Sequence, residues 1–221
     1  IRNVSRSDAN MLLTVNTKTH QILLTSIPRD YYVTLHTYKA KDKLTHSGIY
    51  GIKETVSTVE DFMGIDINYY VRVNFTTVIK MVDVIGGIDV DSDYAFTTNE
   101  GYSFKKGTNH LNGEKALAFS RERYSFADGD RQRVRDQQKV INAIITKLTS
   151  STTLLSKYTD ILKSLSGSFQ TNLTSEEINY LIKGQLDNMT SWSMTSFSLD
   201  GTSASASTYS MGSKMALLPG S

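Results

Sequence analysis

Segments with the apolar pattern of strands alternate along this chain with segments of helical pattern, and this order is the strongest constraint on its fold. Residues 10–16 and 21–27 are short apolar runs joined by a polar turn, as in two successive strands. Residues 51–63 carry apolar side chains at helical spacing and end at Gly64. The series continues with a strand-like alternation, an amphipathic helix and another short strand, at residues 68–75, 76–87 and 88–93. This order predicts an α/β fold in which helices cover a central sheet.

The remaining segments carry weaker patterns. Residues 36–48 are polar and unpatterned, which predicts a mobile loop, and residues 92–109 are polar and predict a hairpin. The last part, residues 192–211, predicts a second hairpin around a serine-rich loop. Four further helices are predicted after an Asn112 cap, from Asp130 onward, and at about residues 151–165 and 174–187.

Composition narrows the function classes. The 221 residues are 39% hydrophobic, which is enough for one sizeable core, so we expect a single domain over residues 1–221. The formal charge of +2 argues against nucleic-acid binding. The absence of cysteine excludes disulfides and thiolate chemistry. No apolar run approaches the length of a transmembrane helix, so we expect any membrane anchor to lie outside this chain.

The densest charge lies in residues 119–138, "FSRERYSFADGDRQRVRDQQ", which contain five arginines. Three interpretations compete: surface charges at a helix start, a nucleic-acid patch, and an anion site built from arginine forks. Within a helix, Arg133 and Gln137 share one face, whereas Arg131 and Arg135 lie roughly 160° away. The periodicity therefore favours Arg133 and Gln137 as pocket residues and predicts that Arg131 and Arg135 are solvent charges.

Two more charged clusters lie beside the predicted strands. Arg6 and Asp8 precede the first strand, and Arg29 and Asp30 follow Pro28 at the end of the second. Because ligands of α/β folds bind outside the carboxyl ends of the strands, the Arg29–Asp30 pair is a better site candidate than a pair on a helix flank. Carboxylates mixed with arginines suggest Mg²⁺ bridging to phosphate oxygens.

Seven ordered motifs resemble those of the LytR–CpsA–Psr (LCP) family. They span roughly residues 5–145 and are "RSDANMLLTVN", "ILLTSIPRD", "DKLTHSGIYG", "INYYVRVNF", "VIKMVDVIGGIDV", "FKKGTNHLNGEKALAFSRER" and "GDRQRVRDQQKV". The likeness is greatest to streptococcal capsule-assembly members. The resemblance implies a central mixed β-sheet flanked by helices, the LCP fold, with an apolar pocket that binds a polyprenyl chain.

The resemblance also implies an activity and a place. LCP proteins are membrane-anchored on the extracellular face of Gram-positive bacteria. They move a glycopolymer from undecaprenyl pyrophosphate to peptidoglycan with the help of Mg²⁺, for which Mn²⁺ can stand in. For this chain, a capsular polysaccharide is the expected polymer, and the partners are the lipid-linked glycan and peptidoglycan, with no nucleic acid.

The same resemblance implies roles for individual residues. The pyrophosphate ligands would be Arg29, Arg121, Arg123, Arg133 and Gln137, with Arg6 as a weaker addition. Asp8 would bind the metal and Asp130 would organise the arginines, so that Arg29, Asp8 and Asp130 form the catalytic set. His46 is expected at the rim of the site. The proton acceptor stays open among Asp8, Asp30 and Asp130.

One departure from the family pattern concerns the metal. The family has a further aspartate at an apolar Gly-x-Asp strand end upstream of the Arg-Ser-Asp element, and either this aspartate precedes Ile1 or the intervening loop is absent from this sequence. Two other functions remain open: hydrolysis of the same polyprenyl pyrophosphate by a phosphatase, and carrier binding without catalysis by a regulator of capsule synthesis. The sequence leaves the acceptor hydroxyl and the oligomeric state undetermined.

Overall fold

A computed structural model describes residues 5–220 of the chain. Within them the backbone forms two compact units. We call residues 5–15, 22–72 and 195–220 the sheet unit, and residues 16–21 and 73–194 the helical unit.

The strands and helices are numbered in chain order. The strands are β1 (Asn10–Asn16), β2 (Gln21–Ile27), β3 (Tyr32–Thr34), β4 (Lys41–Lys43), β5 (Val71–Val73), β6 (Ile88–Ser92), β7 (Phe96–Thr97), β8 (Ser103–Phe104), β9 (Gly107–Leu111), β10 (Phe169–Thr171), β11 (Ser193–Ser198), β12 (Gly201–Thr208) and β13 (Gly212–Pro219). The α-helices are α1 (Leu44–Ser47), α2 (Ile52–Met63), α3 (Phe75–Val84), α4 (Gly113–Arg121), α5 (Gly129–Ser150), α6 (Thr152–Ser156), α7 (Tyr158–Ser164) and α8 (Ser175–Asn188), and Gly48–Tyr50 form a 3₁₀ turn.

The sheet unit is built on a three-stranded sheet in the order β1-β2-β11. The two strands predicted at residues 10–16 and 21–27 are confirmed with those bounds. The unit also contains two antiparallel strand pairs, β3–β4 and β12–β13. Their apolar side chains pack with α2 around a core of buried residues, namely Ile27, Tyr31, Val33, Leu44 and Val59.

The prediction of a mobile loop at residues 36–48 is wrong. This segment holds β4 and α1, and Asp42 at its centre is fully buried. Asp42 Oδ1 lies 2.6 Å from His46 Nδ1, and its two oxygens accept the backbone N–H groups of Lys43 and Ser210. His46 is therefore a buried partner of Asp42 and not the rim residue that its motif suggested. The buried carboxylate supplies the order that the polar sequence lacks, because its hydrogen bonds form only in the folded chain.

The serine-rich segment near the end also differs from its prediction. "GTSASAST" is strand β12 rather than a loop, paired over its whole length with β13, and the chain turns at residues 209–211. The small, polar side chains of this segment do not by themselves predict a strand. Its pairing with β13 determines the extended conformation. The predicted strand at residues 68–75 is confirmed only as the shorter β5.

The helical unit has an aromatic core. Phe96, Phe104 and Phe119 contact one another with ring centroids 4.9–5.7 Å apart, and all three are buried. The β7–β8 hairpin carries two of these rings and confirms the hairpin predicted for residues 92–109. Strand β6 pairs with β9, and α4 packs against both α3 and α5.

The helix starts follow the sequence signals. The Asn112 side chain accepts the Lys115 N–H and caps α4, as predicted, and Thr174 forms a capping box with Glu177 at α8. A Cβ added at Gly113 would lie 2.3 Å from the Ile79 carbonyl oxygen, so α4 begins in backbone contact with α3. The helix predicted at residues 151–165 is split into α6 and α7.

The α/β class is confirmed. Among residues 5–220, none of the helices combines the length and apolar character needed to span a bilayer.

Candidate functional site

In the sheet unit, the candidate site is centred on Arg29 at the end of β2. Arg29 Nη1 lies 2.8 Å from Asp8 Oδ1, and its Nε lies 3.8 Å from Asp30 Oδ2. Its backbone carbonyl accepts the Thr45 N–H at 2.8 Å, which ties the residue to α1. Pro28 ends the strand just before Arg29, so the guanidinium leaves the sheet at its carboxyl end, as predicted. Arg29 and Asp8, distant in sequence, are thus brought together.

The charged residues around this pair differ in their contacts and exposure. Asp30 also binds Lys43, whose Nζ lies 2.8 Å from Asp30 Oδ1, so its carboxylate is shared between two cations. The Asp8 side chain is 61% exposed and remains open to a ligand. Arg6 points elsewhere, with Nη2 3.4 Å from Met211 Sδ. Arg6 is therefore the least supported of the predicted ligands.

In the helical unit, the start of α5 holds a second arginine, Arg133, one residue beyond the first turn. Asp130 lies in this turn, as predicted, and its Oδ1 is 2.6 Å from Arg133 Nη2. The Arg133 side chain is only 17% exposed, and its Nε is buried without a hydrogen-bond partner within residues 5–220. Gln137 lies one turn later on the same side and is half-buried. A buried guanidinium N–H with no protein acceptor is the arrangement expected of an anion ligand.

Two exposed arginines lie at the end of α4 and just after it. Arg121 ends α4, with its guanidinium 4.8 Å from the centre of the Phe75 ring. Arg123 Nη2 donates to Tyr124 Oη at 2.6 Å, and this bond, together with the nearby Asp130 carboxylate, raises the pKa of Arg123 above its ordinary value. Asp130 thus pairs directly with Arg133 and lies near Arg123, and its role as organiser of the arginines stays a prediction.

A buried carboxylate that the sequence analysis missed holds this segment in place. Glu122 Oε1 accepts three consecutive backbone N–H groups, those of Arg123, Tyr124 and Ser125, at 2.6–3.0 Å. Glu122 is 6% exposed. The bonds fix the backbone that follows α4 and hence the origin of the Arg123 side chain. No short-range pattern distinguishes this glutamate from the neighbouring surface charges.

The buried side of α5 was also missed. Gln132, Asp136, Val140 and Ile144 are spaced by four residues and form the buried stripe. Gln132 Nε2 donates to Asp136 Oδ1 at 2.9 Å and to Asp93 Oδ2 at 3.0 Å. The signal was present, because the apolar i, i+4 stripe extends backward into these two polar residues.

Charges in this network are unequal. Burial raises the pKa of Asp136 to about 6, against an ordinary value of 3.8. Lys139 Nζ lies 2.6 Å from Asp93 Oδ2, and this contact lowers the pKa of Asp93. Arg135 donates to Gln132 Oε1 from Nε at 2.9 Å and contacts Asp128 Oδ2 at 2.5 Å. The Arg135 side chain is 42% exposed, as a solvent charge would be, and it also supports the polar network at the helix start.

The predicted ligands thus form two groups. Asp8 and Arg29 are in contact in the sheet unit, and Asp130 is in contact with Arg133 in the helical unit. Arg121 ends α4 and Gln137 lies on α5, and one pyrophosphate site shared by all these residues stays a prediction.

The donors for a metal are few. Within residues 5–220, three or more histidine or carboxylate side chains are nowhere grouped to hold a metal ion. Asp8 offers an exposed carboxylate, and the preceding residue, Ser7, has a buried hydroxyl that lacks a partner among the described residues. Magnesium is often bound by one or two carboxylates together with substrate phosphates and water. These oxygen donors fit Mg²⁺ held jointly with a phosphate-containing substrate, with Asp8 as the protein ligand.

Comparison with known proteins agrees with the fold and with the motifs. The profile of the LytR_cpsA_psr family matches residues 2–218. A curated relative from Bacillus mycoides (strain KBAB4), polyisoprenyl-teichoic acid–peptidoglycan teichoic acid transferase TagU, is 40% identical over 174 residues. That alignment covers 78% of this chain and 57% of the relative, so the chain spans little more than half of that protein's length.

Solved structures extend the likeness to the fold. The crystal structure of B. subtilis TagV has a TM-score of 0.79 at 30% identity and covers 98% of this chain and 84% of TagV. A structure described as TagT bound to LI-WTA has a TM-score of 0.75 at 29% identity, covering 97% of this chain and 79% of TagT. The mixed α/β architecture is therefore the LCP fold. With its profile matched from residue 2 to residue 218, the chain belongs to the LytR–CpsA–Psr family.

Proposed function

We propose that this chain is the catalytic part of a phosphotransferase that moves a glycopolymer from undecaprenyl pyrophosphate to peptidoglycan. The observation that carries the proposal is the Arg133 guanidinium, which Asp130 holds while its buried Nε has no acceptor within residues 5–220. Such a donor is costly to bury unless a ligand completes it. The names of the curated relatives, polyisoprenyl-teichoic acid–peptidoglycan transferases, support a polyprenyl-linked donor and a peptidoglycan acceptor.

The proposed reaction is a displacement at phosphorus. A sugar hydroxyl of peptidoglycan attacks the phosphorus linked to the polymer, a new P–O bond forms, and the P–O–P bond breaks. Undecaprenyl phosphate leaves with the bonding electrons, and the hydroxyl proton passes to a carboxylate, for which Asp8, Asp30 and Asp130 stay the candidates. Arg29, Arg121, Arg123 and Arg133, with Gln137, would bind the pyrophosphate and stabilise the negative charge of the transition state.

Mg²⁺, or Mn²⁺ in its place, would further neutralise the pyrophosphate when bound at Asp8. Asp8 also lies 2.8 Å from Arg29, so the same carboxylate orients the guanidinium. The polyprenyl chain would need an apolar pocket, which stays a prediction. The proposed location is the outer face of the membrane of a Gram-positive bacterium, with an anchor outside this chain.

Two polymers are candidates for the group that is transferred. The relatives are named for teichoic acid, which favours that polymer, while the motif resemblance favours a capsular polysaccharide. Both are glycopolymers carried on the same lipid. Parallel reactions with the two lipid-linked donors would identify the preferred one.

A transfer assay distinguishes the alternatives. Labelled lipid-linked glycopolymer is incubated with the protein, with and without peptidoglycan, and covalent label on the peptidoglycan is measured. Label that appears only with peptidoglycan and protein supports the transferase. Release of phosphorylated polymer into water without an adduct would identify a hydrolase, and binding without turnover would identify a regulator.

Arg29→Ala tests the site within this assay. Arg29 is partly exposed and outside the apolar core, so the variant should fold and lose at least about 100-fold in transfer, as expected when a positioned charge donor is removed. Lys214→Ala is the matched control, because it removes one positive charge from an exposed strand position of the same unit. Equal activity of the two variants would contradict the assignment of Arg29.

A further inference from the structure

Three tyrosines of the sheet unit form an aromatic cluster, with ring planes tilted by 35–43° to one another, that the proposed chemistry does not use. Tyr38 follows β3, Tyr50 ends the 3₁₀ turn and Tyr209 lies in the β12–β13 turn. The ring centroids of Tyr38 are 4.3 Å from Tyr50 and 5.4 Å from Tyr209. A cleft of about 300 Å³ opens beside Tyr38 and Tyr50. We call this cleft with its three rings the tyrosine cleft.

Polar groups line the other side of the tyrosine cleft. Glu54 is buried, and its two carboxylate oxygens accept the Thr37 N–H at 3.0 and 3.3 Å. The exposed Lys53 and the half-exposed His36 complete the lining. One fixed carboxylate and one ammonium nearly cancel in charge, so the cleft favours a ligand that is close to neutral and rich in hydrogen-bonding groups.

The Tyr50 hydroxyl remains a protonated donor. Burial, followed by the Asp42 carboxylate and the neighbouring tyrosines, raises the pKa of Tyr50 above its ordinary value. The three rings present apolar faces with hydroxyl groups at their edges. Tyrosine is well suited to recognition because it combines a rigid apolar body with a polar tip.

The ring spacing discriminates among ligands. A cage for an organic cation needs two facing rings roughly 8 Å apart, with the cation about 4 Å from each. The three rings are separated by only 4.3–6.5 Å and contact one another, so a cation does not fit between them. A single aromatic cluster beside carboxylate, ammonium and hydroxyl groups instead matches a pyranose ring, which has an apolar C–H face and a rim of hydroxyls.

We propose that the tyrosine cleft is a saccharide-binding subsite, in which a sugar ring lies against Tyr38 and Tyr209 and its hydroxyls bond to Glu54, Lys53 and Tyr50. The volume is at the lower end of ligand pockets, about 300–1,000 Å³, and suits a mono- or disaccharide unit of a longer glycan. As a subsite for one of the two glycans of the transfer reaction, it rests on the proposed function. Its capacity to bind sugar does not.

The test measures binding without turnover, by NMR titration of the protein with two soluble probes. One probe is an N-acetylglucosamine tetramer, which represents the peptidoglycan backbone, and the other is lipid-free teichoic acid fragment, which represents the donor polymer. We expect one probe to bind and to shift resonances of the cleft. The probe that binds identifies whether the cleft serves the acceptor or the donor.

Substitutions locate the binding. Tyr38→Ala and Tyr209→Ala should each weaken binding about tenfold, because each removes one stacking ring, whereas Tyr38→Phe should retain most of the affinity. Tyr38 and Tyr209 are 40% and 55% exposed, so both variants should fold. Tyr180→Ala, at a 79% exposed tyrosine of the helical unit, is the matched control and should bind as the unaltered protein does.

The outcomes separate this inference from the proposed function. Failure of the unaltered protein to bind either probe, or equal affinity in the Tyr38, Tyr209 and Tyr180 variants, would overturn the saccharide subsite. A protein that binds sugar through the cleft but transfers no polymer would overturn the proposed function and leave the subsite standing. Normal transfer by Tyr209→Ala with an unchanged KM for the glycan that binds would remove the subsite from the reaction.

Discussion

Replacing Asp136 with asparagine should change how the stability of this protein depends on pH. The Asp136 side chain is fully buried on α5, and burial raises its pKa from 3.8 to about 6. Folding therefore favours the protonated form of this carboxyl group. Below pH 3.8 the group is protonated in both states, and its contribution to stability is fully present. As the pH rises from 3.8 to about 6, the unfolded state loses the proton first and the folded state loses stability.

The size of the effect follows from the pKa difference. Each pKa unit corresponds to about 1.36 kcal/mol, so the difference between 3.8 and about 6 corresponds to about 3 kcal/mol of stability lost by pH 7. Asparagine does not titrate, so the Asp136→Asn variant does not lose this stability as the pH rises. Its absolute stability at one pH is less informative, because its amide N–H₂ would occupy the position of Oδ2, which is buried without a partner among the described residues.

The measurement is urea unfolding of both proteins between pH 3.5 and 8. The free energy of unfolding of Asp136→Asn minus that of the unaltered protein should rise by about 2–3 kcal/mol between pH 4 and 7 and stay level above that. Asp187→Asn, which removes an exposed carboxylate of α8, controls for the loss of one charge. Parallel stability curves for Asp136→Asn and the unaltered protein would refute the reasoning.

Two further substitutions test the packing and the support of the site. Gly113→Ala should destabilise the protein by about 1–3 kcal/mol, because its Cβ would lie 2.3 Å from a backbone oxygen of Ile79. Gly184→Ala, at an open helical position, should instead stabilise the protein by about 0.5–1 kcal/mol. Thermal unfolding measures both changes, and equal effects would contradict the close contact between α3 and α4. Glu122→Ala should lower stability by about 1–3 kcal/mol and weaken donor binding by displacing Arg123, while Glu122→Gln keeps the accepting oxygen and should recover most of the binding. The measurement is the affinity of both variants for the lipid-linked glycopolymer. Equal losses in the two variants would mean that the negative charge of Glu122 matters rather than its three hydrogen bonds.

The sequence predicted the regular elements where local signals were complete. β1 and β2 were bounded by polar turns and Pro28, α2 by Gly64, and α4 by the Asn112 cap. In each case the residue that begins or ends the element acts on its own backbone, through a fixed φ, a left-handed conformation or a side-chain hydrogen bond. Such signals need no knowledge of the remaining chain.

The prediction failed or was incomplete where distant residues determine the structure. The segment around Asp42 looks like a polar loop, and it is ordered by bonds to His46 and to Ser210, which lies 168 residues away. Arg135 looks as exposed as Arg131, yet Gln132 and Asp128 hold it at the start of α5. A charged side chain has the same letter in the sequence whether it faces solvent or completes a buried network.

By itself, the sequence determined the α/β class, the family, and the candidate arginines and aspartates, because periodicity and motif spacing are local properties of the chain. Only the tertiary structure determined which of these charged side chains form ion pairs or hydrogen bonds, and with which partners. It paired Asp8 with Arg29 and Asp130 with Arg133, gathered three tyrosines from separate turns, and buried Asp136. The physical reason is that burial and ion pairing depend on distances in space, and chain folding sets those distances between residues that the sequence keeps far apart.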